Sequence, residues 1–201
     1  MIETARKFLN CGLVEKYRII DYYNKHCAKL VKPSRRYTVQ YSDNWCATFT
    51  SVIAHKCGLT KEQFPYECGV EEQVKIAISN NNFTTDIKQV NQGDLIIYDW
   101  NRDKWADHVG FVIEVSNGSV KVIEGNIRNT VGYRTLPINS KSIKGFIKTH
   151  YKETLSPNET ERIAELARRT VKGEFGNGVE RVRNLGSDYK AVQDYINVFY
   201  K

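Results

Sequence analysis

The chain has 201 residues, of which 41% are hydrophobic and 26% are charged, and its formal net charge is +7. This hydrophobic content is enough to form a core of ordinary domain size, which excludes an intrinsically disordered chain. No apolar run approaches the roughly 20 residues of a membrane span, so insertion into a membrane is not expected.

The positive charge is concentrated at the amino-terminal end. Residues 1–40 contain nine Lys and Arg against three Asp and Glu, whereas residues 41–151 contain twelve of each. Such a basic surface could bind nucleic acid, but no recognition motif or glycine-rich phosphate loop accompanies it. We therefore expect no nucleic-acid partner and interpret the excess first as a solvated face.

A helix is predicted to begin near residue 45. Ser42 or Asp43 is expected to cap its amino terminus, and Gly58 to end it. Cys46 then falls in the first turn. The apolar positions of the helix follow the spacing of a single buried face: Trp45, Phe49, Val52 and Ile53.

The predicted position of Cys46 suits a nucleophile. At a helix amino terminus, free backbone N–H groups and the helix dipole favour a thiolate, which is the form that attacks. Gln40, six residues upstream, is a candidate second donor for an oxyanion hole beside the Cys46 N–H. Cys57 and Cys68 have no comparable setting and are interpreted as structural.

A β-hairpin is predicted where two apolar runs, residues 109–115 and 120–124, flank a turn at residues 116–119. A two-residue loop would point Glu124 away from His108. A three-residue loop with Gly118 left-handed, or a bulge with the same effect, places His108 opposite Asn126 and Glu124 diagonally on the same face. We predict the second arrangement.

These residues occur in the order thiol, imidazole, then carboxylate with amide. A cysteine at a helix start, a histidine opening one strand and Glu124 closing the next is the layout that a papain-like nucleophile site requires. No zinc-site spacing occurs, and the segment before Cys46 has too few carboxylates for calcium. We expect no metal and no cofactor.

Cysteine use and the first residues of the chain bear on its compartment. The five cysteines are odd in number and lie within the first 68 residues, which does not indicate a disulfide framework. The first residues also lack the hydrophobic core of a signal peptide. We expect synthesis in a reducing cytoplasm without a signal peptide.

A domain boundary is predicted near residues 152–158, a polar stretch that contains Pro157. Beyond it, helical spacing predicts three short helices at residues 163–171, 179–185 and 189–199. The expected architecture is an α+β catalytic domain over residues 1–153, with helices packed on an antiparallel sheet, and a small three-helix bundle over residues 154–201.

Residues 35–150 resemble the CHAP family, the cysteine, histidine-dependent amidohydrolases/peptidases of phage endolysins and bacterial autolysins. The resemblance implies that Cys46 is the nucleophile, that His108 is the general base and acid, and that Glu124 and Asn126 orient the imidazole. It also implies hydrolysis of an amide bond in peptidoglycan. The matching segments are residues 43–49, 65–68, 92–100, 106–111 and 122–126.

Residues 159–201 resemble a single CW-seven cell-wall-binding repeat. The similarity lies in residues 164–167, 171–173, 176–178, 180–181 and 189–193, together with Asn197. The family usually has tryptophan where this chain has Phe175. Its association with muropeptides implies that Arg181 and Gln193 are polar contacts, with Phe175 as a stacking position. The alternative is a helical tail that only packs on the catalytic domain.

Together, the two resemblances imply a monomeric endolysin that acts on peptidoglycan, with a Gram-positive wall as the expected partner, after release from the host cytoplasm. The basic amino-terminal segment would then be attracted to anionic wall polymers. Two other functions remain open, namely a cysteine protease acting on proteins and a non-catalytic wall-binding protein. The bond cut also stays open between N-acetylmuramoyl-L-alanine amidase and endopeptidase.

Overall fold

The computed structural model describes residues 1–149 and 157–200. The chain forms two compact units, residues 1–151 and 152–201. The predicted α+β fold, with helices packed on an antiparallel sheet and a small helical unit after it, is confirmed. The predicted boundary near residues 152–158 lies mostly outside the described residues. Pro157 and Asn158, its last two residues, belong to the first helix of the second unit.

The α-helices of the first unit are α1 (Ile2–Arg6), α2 (Leu13–Tyr22), α3 (Cys46–Lys56) and α4 (Val70–Ser79). A π-helix (Tyr23–Cys27) and three 3-10 helices (Ala28–Leu30, Pro33–Arg35 and Ile87–Gln89) complete the helical segments of its described residues. Its strands are β1 (Phe83–Thr84), β2 (Leu95–Tyr98), β3 (His108–Ser116), β4 (Ser119–Ile127), β5 (Thr130–Pro137) and β6 (Ile143–Ile147). The second unit contains α5 (Pro157–Val171), α6 (Gly178–Leu185) and α7 (Tyr189–Phe199).

The strands form one antiparallel sheet in the order β1-β6-β2-β3-β4-β5. All four residues of β2 are buried, and they alternate between two apolar clusters. Leu95 and Ile97 belong to the cluster that includes α3, while Ile96 and Tyr98 belong to the second cluster. This alternation follows from the period-2 geometry of a strand. A core strand therefore presents Tyr98 in a layer separate from that of α3.

The hairpin of β3 and β4 differs in one respect from the prediction. Its loop has two residues, because Ser116 pairs with Ser119, and both Asn117 and Gly118 are left-handed. The three-residue loop is therefore wrong. A bulge between Val112 and Glu114 then shifts the register, so that Phe111 pairs with Ile123. This is the predicted alternative, and it returns His108 and Glu124 to one face.

The amino-terminal residues are part of the same unit as the sheet. Leu9 forms a parallel bridge with Val131, and the backbone N–H of Asn10 donates to the Val131 carbonyl at 2.9 Å. Lys16 Nζ donates to Asn129 Oδ1 at 2.9 Å. Ile19, Ile20 and Tyr23 complete the core around α3. Residues 1–35 therefore supply apolar surface to the core of the first unit, in addition to their positive charge.

Candidate active site

Cys46 is the first residue of α3 and is buried. The first helical hydrogen bond of α3 runs from the Phe49 N–H to the Trp45 carbonyl, so the Cys46 N–H lies ahead of the helical ladder. The N-cap prediction is wrong, because Trp45 occupies that position without a side-chain cap. Asp43 instead accepts a hydrogen bond from the Gln40 N–H at 2.8 Å and closes a turn there.

The close approach of α3 to the sheet depends on a glycine. A Cβ at Gly125 would lie 2.5 Å from the Cβ of Phe49, a distance that real Cβ atoms do not tolerate. Phe49 lies about one helical turn after Cys46. Gly125 lies directly after Glu124 on β4, so the missing side chain lets the first turn of α3 approach the end of the hairpin.

His108 opens β3 and is 9% exposed. Its Nε2 is hydrogen-bonded to Glu124 Oε2 at 3.1 Å, which leaves Nδ1 as the ring nitrogen available to Cys46. Burial lowers the pKa of His108, but hydrogen bonds with Cys46 and Glu124 outweigh burial and raise the pKa to about 9. The imidazole is therefore protonated at neutral pH. A protonated imidazole beside a thiol stabilises the thiolate.

Glu124 has no solvent exposure and is held by three side chains. Tyr98 Oη donates to Oε1 at 2.6 Å, and Arg134 Nε lies 2.9 Å from Oε1 and 3.0 Å from Oε2. Burial raises the pKa of Glu124, but the hydrogen bonds from His108 and Arg134 prevail and hold the pKa below its usual value. Glu124 is therefore an ionised, fixed acceptor for the imidazole.

A second glycine makes room for this carboxylate. A Cβ at Gly110 would lie 2.6 Å from Glu124 Cγ and 2.7 Å from Val122 Cγ1. The Glu124 side chain therefore crosses the position where a larger residue at 110 would stand. A side chain at position 110 of β3 would therefore collide with Glu124, which explains the glycine there.

Tyr98 and Arg134 are site residues that the sequence reasoning missed. The ring of Tyr98 stacks on the ring of Trp100, with the two centroids 4.5 Å apart and an interplanar angle of 11°. The Arg134 guanidinium lies 5.0 Å from the Trp100 ring centroid. Burial and the neighbouring Glu124 raise the pKa of Tyr98, so its hydroxyl remains a donor. The available signal was the aromatic end of β2 beside the predicted histidine strand.

Asn126 and Gln40 make contacts other than those expected from the sequence. Asn126 lies at a bulge between β4 and β5, in a left-handed conformation, and its Nδ2 donates to Asn44 Oδ1 at 3.0 Å. The Gln40 side-chain amide donates to the Thr38 carbonyl at 2.6 Å. The predicted roles of Asn126 at the imidazole and of Gln40 in an oxyanion hole therefore stay predictions.

Two concavities adjoin the pair of Cys46 and His108. One, of about 770 Å³, is lined by His108, Asn126 and Arg134 together with Trp100. The other, of about 430 Å³, is lined by Cys46 together with residues of the segment that precedes His108, including Ala106 and Asp107. One concavity therefore lies beside the imidazole of His108, and the other lies beside the thiol of Cys46.

The three predicted contacts in the second unit lie near its carboxyl-terminal helices. Phe175 is half-buried beneath the Arg169 guanidinium, which lies 4.9 Å from the ring centroid. Arg181 donates to the Gly176 carbonyl at 3.1 Å and to Asn177 Oδ1 at 2.9 Å. Gln193 donates to Asn197 Oδ1 at 3.4 Å. Their predicted role in wall binding stays a prediction.

Residues 1–149 and 157–200 contain no group of three or more His, Cys, Asp or Glu that could hold a metal ion. Within the same residues, no helix is both long and apolar enough to cross a membrane. The cysteines at positions 11, 27, 46, 57 and 68 are free thiols.

Comparison with known families confirms both resemblances. Residues 36–126 match the CHAP domain, and residues 164–199 match the CW_7 repeat. Among solved structures, the chain is similar to a Staphylococcus aureus subsp. aureus Mu50 protein described as similar to lipoprotein, of the NLP/P60 family. That similarity has a TM-score of 0.37 and 12% identity, and covers 67% of this chain and 42% of the other. No curated protein sequence matches the chain.

Proposed function

We propose that this chain, which carries a CHAP domain followed by a CW_7 repeat, is a peptidoglycan hydrolase that cleaves an amide bond with Cys46 as its nucleophile. The observation that carries the proposal is the hydrogen bond at 3.1 Å between His108 Nε2 and the buried Glu124 carboxylate, with Cys46 close enough to the same imidazole to raise its pKa. CHAP domains are associated with cysteine- and histidine-dependent amide hydrolysis, and the CW_7 repeat is associated with cell-wall binding.

The reaction follows from the positions of these groups. The Cys46 thiolate attacks the carbonyl carbon, and the Cys46 N–H at the start of α3 is placed to donate to the developing oxyanion. His108 then gives its proton to the leaving amine as the carbon–nitrogen bond breaks, which leaves a thioester. His108 next accepts a proton from water as the water attacks the thioester, and the acid is released with the thiolate restored.

Glu124 acts by fixing the imidazole. Its Oε2 holds Nε2 of His108, so the ring presents Nδ1 toward the sulfur. Arg134 and Tyr98 in turn hold the carboxylate by hydrogen bonds, so they act on the imidazole through Glu124. We assign them as positioning residues.

The test is digestion of purified sacculi, with mass spectrometry of the released fragments. Wild-type protein and Cys57→Ser should release fragments, because Cys57 donates to Thr4 Oγ1 away from the site. Folded Cys46→Ala should release none. A new amino-terminal alanine, together with glycan strands whose muramic acid carries a free lactyl carboxyl group, identifies the amidase. A new amino terminus within the peptide identifies the endopeptidase. If the protein cleaves casein in a parallel assay and leaves sacculi undigested, it is instead a protease that acts on proteins.

The second unit is proposed to hold the enzyme on the wall of a Gram-positive bacterium, in the manner of an endolysin. Removing residues 154–201 should reduce digestion of sacculi far more than hydrolysis of soluble wall fragments, since only the insoluble substrate gains from local concentration. Arg181→Ala in the full chain should weaken binding to sacculi and leave fragment hydrolysis unchanged. Equal digestion of sacculi by the truncated and full-length proteins would contradict this role.

A further inference from the structure

A third concavity, of about 680 Å³, lies in the first unit beside the amino-terminal segment. Its wall is formed by residues 29–36, together with Lys61, residues 65–67 and the outer face of α4. Residues 29–35 lie before the CHAP match, which begins at residue 36. The concavity contains neither Cys46 nor His108, so the proposed reaction does not account for it.

The charge of this concavity is strongly positive and partly uncompensated. Its carboxylates are Glu67 and Glu72, and both lie near one arginine, with Arg35 Nε at 3.5 Å and 3.7 Å from their oxygens. Its three lysines, Lys29, Lys32 and Lys61, are exposed, and none has a carboxylate at ion-pair distance among the described residues. Lys32 and Lys61 act on the carboxylates of Glu72 and Glu62 only at longer range, and the lining of the concavity carries three more positive than negative side chains. This net positive charge can meet an anion.

The backbone that carries two of these lysines is held in place. Arg36 Nε donates to the Val31 carbonyl at 3.3 Å, and its Nη2 donates to the Lys29 carbonyl at 3.2 Å. Val31 is buried in the main core. The segment from 29 to 36 is thus a fixed rim, and the flexible parts are the lysine side chains.

The basic concavity adjoins the nucleophile. Arg35 and Glu72 line both this concavity and the 430 Å³ concavity that contains Cys46. A ligand in the basic concavity therefore lies on the Cys46 side of the site.

The type of cation indicates the type of anion. Recognition of one directed carboxylate uses the planar fork of an arginine, but Arg35 is engaged by carboxylates and Arg36 by carbonyls. Lysines are mobile point charges, which suit a chain of successive phosphates whose negative charges are spread along its length. The geometry favours a polyanion over a single peptide carboxylate.

We propose that Lys29, Lys32 and Lys61 form a binding site for a polyol-phosphate polymer attached to the cell wall, beside the catalytic site. The choice of a wall polymer among polyanions rests on the proposed function. Binding at this site orders the polymer along the edge of the groove and places the adjoining peptidoglycan near Cys46. The site is separate from the CW_7 repeat and acts within the catalytic unit.

The test compares two triple variants of the full-length protein. Lys29→Gln/Lys32→Gln/Lys61→Gln removes the site. Its matched control removes the same charge from exposed lysines elsewhere in the first unit: Lys7→Gln/Lys88→Gln/Lys141→Gln. The probe is soluble poly(glycerol phosphate), whose binding is measured by calorimetry at several salt concentrations. Binding needs no catalysis, so this arm gives an answer even if the protein hydrolyses nothing.

The site variant should bind the polymer at least tenfold more weakly at low salt, and the slope of log Kd against log salt should fall by about two, as expected for three lost phosphate contacts. The control variant should keep most of the wild-type affinity and most of the wild-type salt dependence. Equal losses in the two variants would reduce the effect to net charge and overturn the proposal. Tighter binding of single-stranded DNA than of poly(glycerol phosphate) would also overturn it, because the occupant would then be a nucleic acid.

The site also predicts a substrate effect. The site variant should hydrolyse soluble fragments like wild type, but should lose the advantage that wild type shows on polymer-bearing sacculi over sacculi stripped of phosphate polymer. A variant that digests both kinds of sacculi as wild type does would contradict a role beside the catalytic site. Loss of fragment hydrolysis in a folded variant would instead assign these lysines to the substrate groove.

Discussion

Replacing Glu124 by Gln should change the pH dependence of the enzyme as well as its rate. The substitution keeps the shape of a side chain that has no solvent exposure and removes its charge. The carboxylate lies 3.1 Å from His108 Nε2 and is one of the two groups that raise the pKa of that imidazole. The variant therefore isolates the electrostatic part of the role of Glu124.

The magnitude follows from the pKa of His108, which is raised from 6.5 to about 9 by Cys46 and Glu124 together. One carboxylate at hydrogen-bonding distance contributes about one pH unit or more. The basic limb of kcat/KM, where the imidazolium loses the proton needed by the leaving amine, should therefore move from about pH 9 to roughly pH 8. This change corresponds to about 1.4 kcal/mol less preference for the imidazolium. The maximal rate should fall about 10²- to 10⁴-fold through misorientation of the ring.

The assay is release of free amine from soluble wall fragments, followed from about pH 6 to about pH 10 for wild type and Glu124→Gln. Asn126→Ala is the control, because its amide is hydrogen-bonded to Asn44, and its basic limb should stay near that of wild type. A folded Glu124→Gln protein with an unmoved basic limb would show that the carboxylate does not set the pKa of His108.

Three further predictions concern stability and packing. Arg134→Gln should lower the free energy of unfolding in urea by about 2–4 kcal/mol, because the buried Glu124 carboxylate loses its cationic partner. Full recovery of stability in Arg134→Lys would show that the contact of Arg134 Nε with both carboxylate oxygens is unimportant. Gly125→Ala should lower the free energy of unfolding by about 1–3 kcal/mol and reduce turnover, because the added methyl group displaces α3. Gly12→Ala is the control, since a Cβ there meets open space and should change neither quantity. Equal effects of the two substitutions would show that α3 does not depend on the missing side chain at 125. The raised pKa of His108 contributes stability that is fully present below pH 6.5 and is lost as pH rises through about 9, so His108→Gln should lack this loss in urea unfolding.

The parts of the site that depend on local pattern were predictable from the sequence. Helical spacing placed Cys46 in the first turn, and strand alternation placed His108 and Glu124 on one face once a shift in register was allowed. The loop length was wrong, because Asn117 and Gly118 form a tight two-residue turn and the extra residue lies in the strand. A bulge inside an apolar run leaves no distinct signal in composition.

The rest of the site depends on pairings between segments far apart in sequence. Arg134 reaches Glu124 only through the pairing of β4 with β5, which contains its own bulge, and Tyr98 reaches it through a separate strand. Asp43 has the sequence pattern of a helix cap, but its carboxylate accepts a hydrogen bond from the Gln40 N–H and closes a turn. An Asp side chain can bond either to a turn or to a helix amino terminus, and the surrounding tertiary structure determines which bond forms. The basic concavity likewise brings Lys61 beside residues 29–36.

Cys46 can be tested as the nucleophile by titrating the protein with iodoacetamide in steps up to one equivalent per chain, with peptide mapping and a fragment-hydrolysis assay at each step. If Cys46 is the nucleophile held by His108 and Glu124, hydrolysis should fall in proportion to the fraction of Cys46 that is carbamidomethylated. It should reach zero at one label per chain, while Cys68, which lines the same concavity, stays unlabelled. Hydrolysis that survives full labelling of Cys46, or that falls instead with labelling of Cys68, would show that Cys46 is not the nucleophile.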